Sequence, residues 1–179
     1  MMNDAINDVI KAVNRAACCV LAVAVTAGAA LAAEPLVPPP QGASLVLEAA
    51  ADGVQLYDCK PEGSGYAWHF VAPEANLFDG QGRQIGRHYG GPTWRLEDGS
   101  SVVGEVVAKA DAPQPGAIQW LLLRVRSRDG TGVLAPVAFV RRAETKGGLP
   151  PSGGCDAAHA GMQARMRYSA TYQFYAPSP

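Results

Sequence analysis

Apolar and polar side chains alternate along most of this chain, and that two-residue period constrains its fold more than any other feature. Successive side chains of a strand point to opposite faces, whereas a helix returns to its apolar face about every 3.6 residues. Over residues 118–126, Gln119, Leu121, Leu123 and Val125 share one face, while Ile118, Trp120 and Leu122 begin the other, which turns basic at Arg124 and Arg126. Tyr66, Trp68 and Phe70 form an aromatic row opposite Ala67, His69 and Val71. Near the C-terminus Tyr168, Ala170, Tyr172 and Phe174 alternate with Ser169, Thr171, Gln173 and Tyr175. No long amphipathic helical pattern competes with these rows after residue 33.

Turn chemistry separates the rows. Asp79-Gly80, Asp98-Gly99 and Asp129-Gly130 each place a residue tolerant of positive φ where a hairpin needs one. The second pair lies between residues 93–97 and 101–110 and predicts a hairpin there. Residues 147–161 contain Gly147-Gly148, Pro150-Pro151 and Gly153-Gly154, which interrupt any strand and predict a long loop, with a short helix at 156–160. The expected fold is all-β: one antiparallel β-sandwich or barrel of roughly eight to ten strands over residues 44–179. A proline-rich lead-in at 34–43 precedes it, and neither an internal repeat nor a second domain is evident.

The first 33 residues have the order of a secretory signal peptide: Lys11 and Arg15, an apolar run at 16–30, then Ala30-Leu31-Ala32-Ala33. Cleavage is expected after Ala32 or Ala33. The run is shorter than the roughly 20 residues of a stable membrane helix. Cys18 and Cys19 stand near its start rather than after it, which argues against a lipid anchor. A secreted or periplasmic protein with no membrane span after processing is therefore expected. Of four cysteines, processing leaves Cys59 and Cys155, and an oxidising compartment favours their union in one disulfide. That bond would tie an early strand to the long loop before the last one.

A formal net charge of −1, with 17% charged residues, offers no general attraction to nucleic acid or to anionic membranes. Gly80-Gln81-Gly82-Arg83-Gln84-Ile85-Gly86 approaches a dinucleotide fingerprint, but its last gap is one residue too long and no helix follows. No P-loop, His-Glu-x-x-His, Gly-x-Ser-x-Gly or EF-hand loop occurs. His69, His88 and His159 lack the short spacing of a local metal site, so neither metal nor cofactor is expected. Residues 88–94 are more suggestive: His88, Tyr89 and Trp94 flank Gly90 and Gly91, which would let a ligand approach the backbone. Trp68, Trp94 and Trp120 offer stacking faces, and Arg124, Arg126 and Arg128 recur on alternate positions.

Several segments carry a resemblance. They are Gly53-Val54-Gln55-Leu56-Tyr57-Asp58-Cys59, Trp68-His69-Phe70-Val71-Ala72-Pro73-Glu74-Ala75, His88-Tyr89-Gly90-Gly91-Pro92-Thr93-Trp94, Asp98-Gly99-Ser100, Trp120-Leu121-Leu122-Leu123, Gly154-Cys155-Asp156 and Tyr168-Ser169-Ala170-Thr171-Tyr172. In this order they resemble a family of exported bacterial and fungal proteins catalogued as a domain of unknown function. The resemblance implies a secreted single-domain protein, supports the Cys59 to Cys155 bridge and carries over no catalytic residue. Some fungal relatives bear a malate dehydrogenase label, which does not suit a short, exported chain without a dinucleotide fold.

The leading expectation is a non-enzymatic module that binds a small molecule, a glycan or a cell-envelope component. Its contacts are expected at His88, Tyr89, Trp94 and Asp98, joined by Trp120 and Arg126. One alternative is an extracellular or periplasmic hydrolase with His88 as base and Asp98 as its orienting carboxylate. Another is a structural envelope protein.

Overall fold

The computed structural model describes residues 37–178. The signal sequence expected at 1–33 and the first residues of the lead-in lie outside them. Eight strands follow in chain order: β1 (Ala43–Glu62), β2 (Gly65–Phe78), β3 (Gln84–Tyr89), β4 (Thr93–Leu96), β5 (Ser101–Ala110), β6 (Trp120–Asp129), β7 (Phe139–Gly147) and β8 (Gln163–Pro177). Each pairs antiparallel with the next, and β8 returns to β1, so one sheet closes into a barrel. Of the two expected architectures the chain adopts the closed one, with the lower strand number. The short strands β3 and β4 complete the ring over only part of its height: β2 pairs with β3 at residues 75–78 and β5 pairs with β4 at residues 101–103, so the first part of β2 and the second part of β5 have no strand neighbour on that side.

Alternation decides which side chains fill the interior. Tyr168, Ala170, Tyr172 and Phe174 of β8 are buried, as are Ala49 and Ala51 of β1, Leu123 of β6 and Val140 of β7. The expected hairpin is present: Gly99, at φ +88°, turns β4 into β5. The row read at residues 118–126 begins as a strand at Trp120 and continues to Asp129.

In such a meander alternate connections lie at opposite ends. One end is plugged. The connection from β6 to β7 folds Leu134 and Val137 inward, each 0% exposed, over Leu77, Val102 and Phe174. The Asp98 turn pins it: Asp98 Oδ2 accepts from the Val133 N–H at 2.8 Å, and Ser100 Oγ accepts from the Leu134 N–H at 3.2 Å. Ser100 also donates its hydroxyl to Asp98 Oδ1 at 2.6 Å.

The other end is held by a staple. Cys59 of β1 and Cys155 form a disulfide with a Cα–Cα distance of 5.4 Å and a sequence separation of 96. In the chain-entropy account a loop of this size contributes about 4–5 kcal/mol. Backbone bonds reinforce the join, from Cys59 N–H to the Met162 carbonyl (2.8 Å) and from Gly161 N–H to the Cys59 carbonyl (2.9 Å). The short helix expected at 156–160 is a single 3₁₀ turn, Ala157–His159, whose first N–H groups Asp156 caps through its side chain.

Candidate functional site

The stapled end opens into a cavity of about 390 Å³, bordered by His88, Trp94, Tyr172, Arg142 and Gln55 with apolar walls that include Phe70, Val106 and Leu121. Its inner wall begins with a strand register. His88 of β3 lies directly across from Trp94 of β4, and residues 90–92 supply the turn between them. Both side chains therefore point inward, and their rings stack with centroids 4.5 Å apart at 11°. Tyr172 closes against the pair, 4.9 Å from the His88 ring and 5.4 Å from Trp94. Gly104 makes the space for the indole: a Cβ there would stand 3.0 Å from the Trp94 ring and 3.1 Å from Leu123.

The hydrogen bonds of His88 settle its tautomer. Nδ1 lies 2.8 Å from the Thr93 carbonyl oxygen, which can only accept, so Nδ1 carries the proton and Nε2 keeps its lone pair. Burial pushes the His88 pKa down to about 3; the Thr93 carbonyl opposes this and the Arg142 charge adds to it. The ring is thus neutral at physiological pH. Tyr168 and Tyr172, whose hydroxyls are 3.4 Å apart, are pushed upward by burial and stay protonated.

Arg142 is the charged member of the wall. It follows Val140 on the inward row of β7 and is in register with Leu121 on one side and Tyr172 on the other. Its Nε and Nη2 both donate to the Gln119 carbonyl, at 3.0 and 2.8 Å, which fixes the plane of the guanidinium. Four buried side-chain nitrogens lack a hydrogen-bond partner among the described residues; Gln55 Nε2 and Trp94 Nε1 belong to residues that border the cavity, whereas His69 Nε2 and Trp120 Nε1 do not. A buried donor left unsatisfied costs about 1–3 kcal/mol, so such groups are uncommon and call for a partner.

The residues expected from sequence do not gather at one place. His88 and Trp94 meet in the cavity. Tyr89 points to the outside and is 40% exposed. Asp98 is at the plugged end, where its carboxylate holds Ser100 and Val133, and hydrogen bonds from these groups keep its pKa below the usual carboxylate range. His88 and Asp98 therefore form no pair. Trp120 lies on the outer face with the Arg141 guanidinium 5.3 Å from its ring centroid, and Arg141 in turn donates to the Val37 carbonyl at 2.6 Å. Arg126 is exposed on the outside. Of its neighbours in sequence, Arg124 pairs with Glu105 at 3.4 Å and Arg128 donates to the Val137 carbonyl at 3.1 Å.

Sequence reading missed Gln55 and Tyr172 as site residues and did not single out Arg142 from the other arginines that could border an anionic ligand. Tyr172 was legible as a member of an inward aromatic row. Arg142 was not, because Arg141-Arg142 presents the same side chain to both faces and hides which one points in.

Among the described residues no three His, Cys, Asp or Glu side chains converge as metal ligands, and no helix is long and apolar enough to cross a membrane. A larger concavity of about 620 Å³ lies on the outer face beside Gly53 and Ala75. Its charged side chains are partly committed to each other, Arg165 donating to Glu74 at 2.8 Å.

No curated protein matches the chain, and no solved structure does. The family described as "Protein of unknown function (DUF3455)" matches residues 39–176, from the lead-in almost to the end of β8. The chain belongs to that family.

Proposed function

We propose that this protein is an exported, non-enzymatic binding module that takes a small molecule into the open end of its closed sheet. The observation that carries this reading is the pair of buried, unpartnered donors, Gln55 Nε2 and Trp94 Nε1, on residues that border a cavity of about 390 Å³. That volume falls within the range of about 300–1,000 Å³ for small-molecule sites, which combine apolar walls with a few polar groups. The walls favour a small apolar molecule over a glycan, which would need a wetter and more polar surface. Export is supported by the disulfide, which persists in oxidising compartments. A hydrolytic reading finds less support, since His88 is held by a backbone carbonyl with no carboxylate behind it.

The test is a thermal-shift screen of metabolite and glycan panels on the processed protein, repeated with Leu121→Trp to fill the cavity. A ligand present at 100 times its Kd stabilises by about 2.7 kcal/mol, enough to raise the melting temperature by several degrees. Small molecules should shift the wild type and leave the folded Leu121→Trp variant unshifted. No shift from either panel, or equal shifts in the variant, would refute the reading.

A further inference from the structure

Arg142 is an anomaly on its strand. The inward row of β7 runs from Val140, which is fully buried, to the half-buried guanidinium of Arg142, whose partial loss of water is costly unless a partner offsets it. None of the ion pairs among the described residues includes it. Its Nε and Nη2 donate to the Gln119 carbonyl, and the guanidinium also lies beside the Tyr172 hydroxyl, whose ionised form it favours. Both of these partners are neutral, so the positive charge has no counter-ion among the described residues, and a planar fork matches a carboxylate in shape as well as charge. Because His88 beside it is neutral, the wall presents one positive charge and suits a monoanion.

The rim has the opposite character. The pairing of β1 with β2 shifts register between Leu56 and Tyr57, which leaves Val71 as an extra residue beside Phe70. The pairing of β5 with β6 shifts between Val106 and Ala108, with Val107 the extra residue. Bulges of this kind recur at barrel rims, where they re-aim side chains. Here they leave Phe70 55% and Val106 47% exposed, and both border the cavity. An apolar rim above a single part-buried cation describes the shape of an amphipathic acid.

We infer that the cavity takes a small amphipathic carboxylate, its carboxylate bound by Arg142 and its apolar body lying between Phe70, Val106 and Leu121. This assignment rests on the small-molecule reading above. The Gln55 amide is the nearby neutral donor available to the same headgroup.

Calorimetric titration with octanoate, octanamide and acetate tests it. Octanoate should bind roughly tenfold or more tightly than octanamide, the neutral molecule of the same shape, and acetate should bind more weakly than octanoate by a similar factor. Arg142→Gln should bring octanoate down to the level of octanamide, and Arg142→Lys should keep part of the preference. Equal affinity for octanoate and octanamide in the wild type would overturn the assignment, as would a preference that survives in Arg142→Gln. Binding of neither probe would overturn it too, while hits in the panel screen that Leu121→Trp abolishes would leave the small-molecule reading standing. If Arg142→Gln does not fold, the octanoate-to-octanamide ratio of the wild type decides.

Discussion

The plugged and open ends of the sheet are built from the same eight strands, yet they are held together differently. At the plugged end apolar side chains meet from every direction, and the polar groups of the Asp98 turn find partners in the loop above them. At the open end the strands are joined by a disulfide and a few long-range hydrogen bonds, including Trp68 Nε1 to the Gly153 carbonyl at 2.9 Å and the Tyr57 hydroxyl to the Gly148 carbonyl at 2.7 Å. The interior there retains an arginine and two unpartnered donors. One end is optimised for stability, and the other keeps polar groups that folding alone leaves unsatisfied. Proteins that depart from full polar satisfaction in one region tend to do so at functional sites.

The largest effect should come from the plugged end. Phe174→Ala removes a fully buried ring and should cost about 3–5 kcal/mol, whereas Leu121→Ala, at the cavity wall, should cost no more than about 2 kcal/mol. Urea unfolding of both variants measures the contrast, and equal losses would break it.

Replacing Cys59 and Cys155 together by Ser should cost about 2–4 kcal/mol, below the chain-entropy figure because residual structure in the unfolded chain reduces the gain from closing the loop. The loss should be local: amide exchange should quicken in residues 148–162 and the adjoining half of β1 while β4 and the start of β5 keep their protection. Uniform loss of protection would mean that the ends are not separately held.

A smaller effect follows from His88. The unfolded chain takes up a proton near pH 6.5, whereas the buried ring resists it down to about 3. The unfolded state thus binds more protons in that window, and the contribution of this group, complete above pH 6.5, is lost as pH falls, by on the order of 1 kcal/mol per pH unit. Comparing urea midpoints of the wild type and His88→Asn between roughly pH 6.5 and 5 isolates the histidine from most carboxylates. A variant with the same slope would show that His88 is not the buried neutral group described here.

Much of the fold was legible because strand side chains obey a parity rule. The inward row of β8, the Asp98-Gly99 hairpin and the staple between Cys59 and Cys155 all appear where the sequence places them. Less of the site was legible. His88 and Trp94 were found because a glycine-rich turn joins their strands and brings them face to face. Asp98 lies close to them in sequence and at the other end of the molecule in space, since a strand of four residues, Thr93–Leu96, already spans the distance between successive turns.

By itself the sequence determined an all-β chain, the positions of its main turns and the pairing of Cys59 with Cys155, which depend on neighbours along the chain or, for the disulfide, on setting aside Cys18 and Cys19 in the segment read as a leader. Only the tertiary structure decided that the sheet closes, that Arg142 rather than Arg141 faces inward, and that Gln55, His88, Trp94, Arg142 and Tyr172 share one cavity. Those facts depend on register between strands distant in sequence, and register is set by the sum of many pairings around the ring rather than by any local pattern.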